Sequence, residues 1–149
     1  MRWKSDALAA LLCVAAAGAG ADARIDYMLH CMGCHLEDGT GLPPAVPALA
    51  ERVGYYLEIP GGREYLVQVP GSANAPLSDA ALAEVLNWIV ERFGGASMPA
   101  EFSPYSADEV AKARADKPAD VTEQRRALGE AVESLIVTRA RGNVRAPCR

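Results

Sequence analysis

Large aromatic side chains are scarce in this sequence: two Trp, five Tyr and two Phe among 149 residues, 6% of the chain. Half of the residues are hydrophobic, as in a globular protein, but few are bulky, so one small core filled partly by something other than protein is the expectation. An excess of positive charge is also missing. With 15 basic against 19 acidic residues and a formal charge of -4, the chain has no polybasic footprint, which counts against nucleic acid and anionic lipid as partners. The N-terminal apolar run, Ala7 to Ala17, is 11 residues long, and a bilayer span needs about 20. There is no internal repeat, no phosphate-binding loop and no Ser-His-Asp arrangement. Histidine is limited to His30 and His35, and cysteine to four residues.

What is present begins with targeting. Arg2 and Lys4 precede the apolar run, and the small residues Ala19, Gly20, Ala21 and Ala23 follow it, the order of a secretory signal peptide over residues 1-21. Cys13 would leave with the signal. Leu12 before it is bulkier than a lipoprotein site requires. The expected product is soluble, has no membrane span after cleavage, and resides in an oxidising compartment such as the periplasm.

Cys31-Met32-Gly33-Cys34-His35 carries most of the functional information. Two thiols three positions apart can add to the two vinyl groups of one haem, and a His directly after the second can reach the iron. Cys31 and Cys34 are therefore candidates for covalent attachment of one haem c, with His35 as proximal ligand. A redox disulfide would want a helix to continue from the motif, yet Gly39, Gly41, Pro43, Pro44 and Pro47 follow almost at once. Zinc would need four ligands, and Cys148 is the one further thiol once the signal is gone.

From these residues the sequence resembles the class I c-type cytochromes. Gly39-Thr40-Gly41 and Pro47-Ala48-Leu49 look like the Gly-rich loop and Pro-x-Leu that follow the haem His in that family. The resemblance implies a small all-α haem domain over about 22-118. It also implies that the Pro47 carbonyl orients His35, the support a metal-bound imidazole generally needs.

The distal iron ligand is open to two readings. Met28, Met32 and His30 sit on or beside the attachment motif, so elimination leaves Met98, in Gly95-Ala96-Ser97-Met98-Pro99 ahead of a new helix. Alternatively, Val69 to Pro76, which contains no Met, occupies the ligand-loop position and the distal face is left open.

Helical signals dominate the rest. Asp22 to His30 places Ile25, Met28 and Leu29 on one face. Arg63 to Val69 suits a strand or a short helix. Ser78 caps a helix to Phe93 with Leu82, Val85, Leu86, Ile89, Val90 and Phe93 at helical spacing, and Gly94-Gly95 ends it. Within it Asn87 and Trp88 are candidates for contact with a haem propionate. Ser106-x-x-Glu109 forms a capping box, with Tyr105 and Val110 as a staple. Residues 119-149 form a helical C-terminal extension, expected either to lie along the domain or to dock a partner.

The resemblance implies a periplasmic monohaem electron carrier, not an enzyme, working between redox partner proteins: a dehydrogenase for small alcohols or amines on one side and an oxidase on the other. An open-site haem protein that binds gases or acts like a peroxidase, and a fixed haem subunit of a larger complex, are the alternatives.

Overall fold

The computed structural model describes residues 19-144. Most of the signal-peptide reading, and Cys13 and Cys148 with it, lies outside them. Seven helices are described: α1 (Ala19–His30), α2 (Met32–His35), α3 (Gly62–Gln68), α4 (Pro70–Ala73), α5 (Asp79–Phe93), α6 (Ala107–Ala115) and α7 (Thr122–Val144). No strand occurs among the described residues, only an isolated bridge between Leu42 and Val46. The fold is all-α, as the sequence suggests, and Arg63 to Val69 resolves as helix α3.

The N-caps are those the sequence announces. Ser78 Oγ accepts from the Ala81 amide at 3.1 Å, and Ser106 Oγ accepts from the Glu109 amide at 3.2 Å. The capping box is only half made, because the Glu109 carboxylate takes the Arg63 guanidinium instead, at 2.8 and 2.9 Å. A bidentate ion pair is a stronger use of a carboxylate than one amide bond.

Helix α1 crosses α5, and the buried stripe of α1 is not the one with the most apolar residues. Ala23 and Tyr27, one turn apart, enter the core with Val53, Val85, Ile89, Val90 and Phe93. Ile25, Met28 and Leu29 face outward at 52%, 45% and 70% exposure. The small Ala23 side chain admits a close crossing, and the Tyr27 ring fits between Trp88 and Phe93, with centroids 5.0 and 5.3 Å away. Trp88, expected near a propionate, is thus part of the α1–α5 contact. Asn87 is also used elsewhere: its amide oxygen accepts from the Tyr105 amide at 2.6 Å, and its nitrogen donates to the Tyr105 carbonyl at 3.1 Å.

A second cluster joins α3, α5 and α6 through Val67, Leu82, Ala83, Leu86, Tyr105, Val110 and Ala113. A third, built on Tyr65, Val121 and Leu128, seats α7 on the domain. Ion pairs from Arg52 to Glu133 and from Arg139 to Glu58 reinforce that seating. The extension therefore lies along the body of the molecule rather than projecting from it.

Candidate functional site

The chain turns sharply into the attachment motif. The amides of Cys31 and His35 close on the carbonyls of Tyr27 and Cys31 at 2.8 and 3.0 Å, so α2 is one tight turn that presents both thiols and the imidazole together. Leu36 ends the turn at φ 63°, a left-handed conformation that a Leu rarely adopts. It is held there by its own amide on the Met32 carbonyl, at 2.8 Å, and by the Tyr27 hydroxyl on its carbonyl, at 2.6 Å.

Two glycines shape the loop that follows. Gly39, at φ 74°, leaves room for the Phe93 ring, whose nearest atom would be 2.7 Å from an added Cβ, and its carbonyl receives the amides of Leu49 and Ala50. Gly41, at φ 66°, leaves room for the Val46 and Pro47 carbonyls, which a Cβ would meet at 2.6 and 2.7 Å. Its amide donates to the His35 carbonyl at 3.1 Å. The loop is thereby folded back so that the Pro47 carbonyl lies next to the His35 ring.

His35 Nδ1 is buried and has no partner at full hydrogen-bonding geometry. Burial lowers the imidazole pKa, and the nearby Pro47 carbonyl opposes that lowering. These two observations agree on a ring that is neutral near pH 7, with one nitrogen aimed toward a backbone acceptor and the other available as a donor of electrons. Cys31 and Cys34 are not joined to each other. Burial, then the nearby Asp26 and Cys34, push the Cys31 thiol up to about 11. A nucleophilic CxxC pair needs a lowered thiol pKa, so Cys31 lacks the character of a disulfide-exchange centre. No group of three or more His, Cys, Asp or Glu suited to a metal ion occurs among the described residues.

His30, Cys31, Cys34, His35 and the stretch Ala45 to Leu49 line one side of an apolar cleft of about 290 Å³. Its floor comes from Leu86, Ile89 and Val90 of α5. From α3 and α4 come Tyr65, Leu66, Val69, Pro70, Gly71 and Ser72, and Tyr56 and Arg125 complete the lining. Arg125, on α7, donates from Nε to the Tyr65 hydroxyl at 3.1 Å, and the Tyr56 and Tyr65 rings stack at 5.6 Å. Two thiols and a neutral imidazole on one side of an apolar cleft form a donor set that fits haem. A second depression, of about 340 Å³, lies by Arg63, Glu101, Phe102 and Glu109, but it offers no thiol or imidazole and its guanidinium is already paired with Glu109.

Met98 is not brought to the cleft. Its sulfur packs over Gly94, where an added Cβ would come within 2.4 Å of it, and its side chain joins the core cluster of α1 and α5. The three-residue 3-10 turn Gly95–Ser97 folds Met98, the candidate distal ligand, back against the end of its own preceding helix. Trp88 is likewise absent from the lining. Conversely, Tyr65, Arg125 and the Val69-Ser72 stretch do line it. Only the last carried a signal in the sequence, as the alternative ligand-loop position.

No helix among the described residues is long and apolar enough to cross a membrane. No family model matches the chain. In an alignment of 120 residues that covers 67% of this chain, it is 39% identical to a cytochrome c-552 of Thermus thermophilus, 92% of which is covered. A second cytochrome c-552 from that species is 38% identical over the same share of this chain, with 81% of the relative covered. An all-α fold, a CxxCH turn opening on an apolar cleft, and this identity over nearly the whole of a relative lead to one conclusion: the chain belongs to the class I c-type cytochromes, electron carriers with covalently bound haem c.

Proposed function

We propose that this protein is an exported, periplasmic monohaem electron carrier, with one haem c attached through thioether bonds from Cys31 and Cys34 and His35 as the proximal iron ligand. The observation that carries the reading is that both thiols and the imidazole, held on one tight turn, line the same apolar cleft. Bound haem supplies reversible one-electron chemistry. The chain supplies the rest. Cys31 and Cys34 hold the cofactor against loss, His35 offers Nε2 to the metal, and the Pro47 carbonyl beside the ring orients it. The apolar floor excludes water, which lowers the solvent reorganisation that accompanies a change of charge. One CxxCH motif in the chain supports one haem.

Transfer requires partners that approach the cleft. The exposed side chains Ile25, Met28, Leu29, Leu36 and Leu42 lie on α1 and on the segment around α2, the elements that carry the attachment residues. They supply an apolar face for a donor such as a periplasmic alcohol or amine dehydrogenase and for an oxidase as acceptor. With a chain of net charge -4, salt should alter association rates only modestly.

Mass spectrometry of the denatured, exported protein tests attachment. The expected mass is that of the processed chain plus one haem, with none retained when Cys31 and Cys34 are both replaced by Ala. A bare-chain mass for the native protein overturns the proposal.

A further inference from the structure

Among the described residues, the lining of the cleft contains no Met or Lys, and its only histidines are His30 and His35. Met28, Met32 and Met98 all lie outside its lining: Met28 is exposed on α1, while Met32 and Met98 pack on the core. His30 does line the cleft, but it immediately precedes Cys31 and belongs to the same side as His35. The Val69-Pro70-Gly71-Ser72 stretch of the lining is braced. Amides of Ser72 and Ala73 close on the Val69 carbonyl at 2.9 and 2.8 Å, and Arg114 of α6 donates to the carbonyls of Ser72 and Ala75 at 3.4 and 3.2 Å. A braced wall has no slack with which to deliver a distant side chain to the metal. Of the two tyrosines near it, Tyr56 is held in its protonated form by burial, and the Tyr65 hydroxyl is occupied by Arg125.

We propose that the face of the cofactor opposite His35 is a binding site for a small exogenous iron ligand, a diatomic gas or a monoanion of two or three atoms, formed by the Val69-Ser72 wall. Arg125, anchored on Tyr65, contributes a fixed positive charge to that space. This inference rests on the haem reading above and adds to it: the carrier also senses or binds small molecules at its metal. Covering this face is a task shared by α3, α4 and the C-terminal helix α7, so the extension belongs to the site.

The test uses the full exported holoprotein and optical spectroscopy, with carbon monoxide added to the reduced form and cyanide to the oxidised form. Both should bind, one per haem, and Met98→Ala should leave the spectra of the free and ligated protein unchanged. Arg125→Ala should weaken cyanide binding about tenfold, the loss of one charge-assisted hydrogen bond of roughly 1.4 kcal/mol, and change carbon monoxide binding by less than about twofold. An equal effect of Arg125→Ala on both ligands, or none on cyanide, overturns the role given to Arg125. A far-red sulfur-to-iron band that disappears in Met98→Ala, or failure of both ligands to bind, overturns the open face. The same holds for a native spectrum that changes in His30→Ala or Tyr65→Phe because a protein ligand has been lost. Absence of haem in the purified protein is a different result, and it would refute the cofactor reading instead.

Discussion

The Tyr27 hydroxyl donates to the Leu36 carbonyl across 2.6 Å, joining the last turn of α1 to the residue that follows the candidate proximal ligand. Ring and hydroxyl serve different ends. The ring packs α1 onto α5 between Trp88 and Phe93, while the hydroxyl stabilises the left-handed Leu36 that terminates the His35 turn. Tyr27→Phe should therefore keep the helix crossing and lose about 1 kcal/mol of stability, the net contribution of one hydrogen bond. Denaturant unfolding checks the magnitude. A loss near zero would mean that Leu36 is held by its own amide bond to Met32 alone.

The same tyrosine makes stability depend on alkaline pH. Burial first, then Cys31 and Asp38, push its pKa from 10.0 up to about 12. The native state thus keeps a proton that the unfolded chain releases, so this contribution to stability is fully present below pH 10 and is lost as pH rises through 12. Unfolding curves measured between those limits should show stability falling with pH. Tyr27→Phe should show a shallower fall, and equal slopes in the two proteins would contradict the assignment.

Arg114 ties the cleft wall to α6. Its Nη1 donates to the Leu77 carbonyl at 2.9 Å and to Asp79 at 2.8 Å, and its Nη2 reaches the Ser72 and Ala75 carbonyls. Arg114→Ala leaves several partly buried acceptors unpaired and should cost about 2 kcal/mol or more. Arg114→Lys should recover little, because a point charge cannot reproduce the planar fork. Thermal unfolding of both variants, with proteolysis of the 70-78 segment as a local readout, provides the check.

Gly41→Ala is expected to disturb the imidazole without touching it. The new Cβ would demand a positive φ from a non-glycine residue and would lie 2.6 and 2.7 Å from the Val46 and Pro47 carbonyls. Backbone atoms cannot swing aside like a flexible side chain, so a stability loss of about 2 kcal/mol is expected, accompanied by a shifted spectrum of the holoprotein as Pro47 moves from His35. A destabilised variant with an unchanged spectrum would separate the loop from the orientation of His35.

How much of this was legible beforehand depended on distance along the chain. The attachment motif and the N-caps at Ser78 and Ser106 were readable because each is completed within five residues, where covalent geometry decides the outcome. Glu109 shows the limit of that reasoning: its spacing from Ser106 suited a capping box, but Arg63, 46 residues away in sequence, offers a better partner. Helix α1 shows another. Its composition gathers Ile25, Met28 and Leu29 on one face, whereas the face packed on α5 is that of Ala23 and Tyr27.

Sequence alone determined the chemistry this protein can hold, two thiols and an adjacent imidazole, and the mainly helical segments that present them, since both follow from residue identity and short-range spacing. Only the tertiary structure decided what stands across the cleft. Met98 was the natural ligand by elimination, yet its sulfur packs over Gly94 and its side chain against the core, while Val69 to Ser72, braced by Arg114, line the cleft. Tyr65 and Arg125 meet in the lining of the cleft although 60 residues separate them. No local pattern records such a meeting, because it depends on how α7 lies against α3, and that is set by the summed burial of Tyr65, Val121 and Leu128 rather than by any one residue.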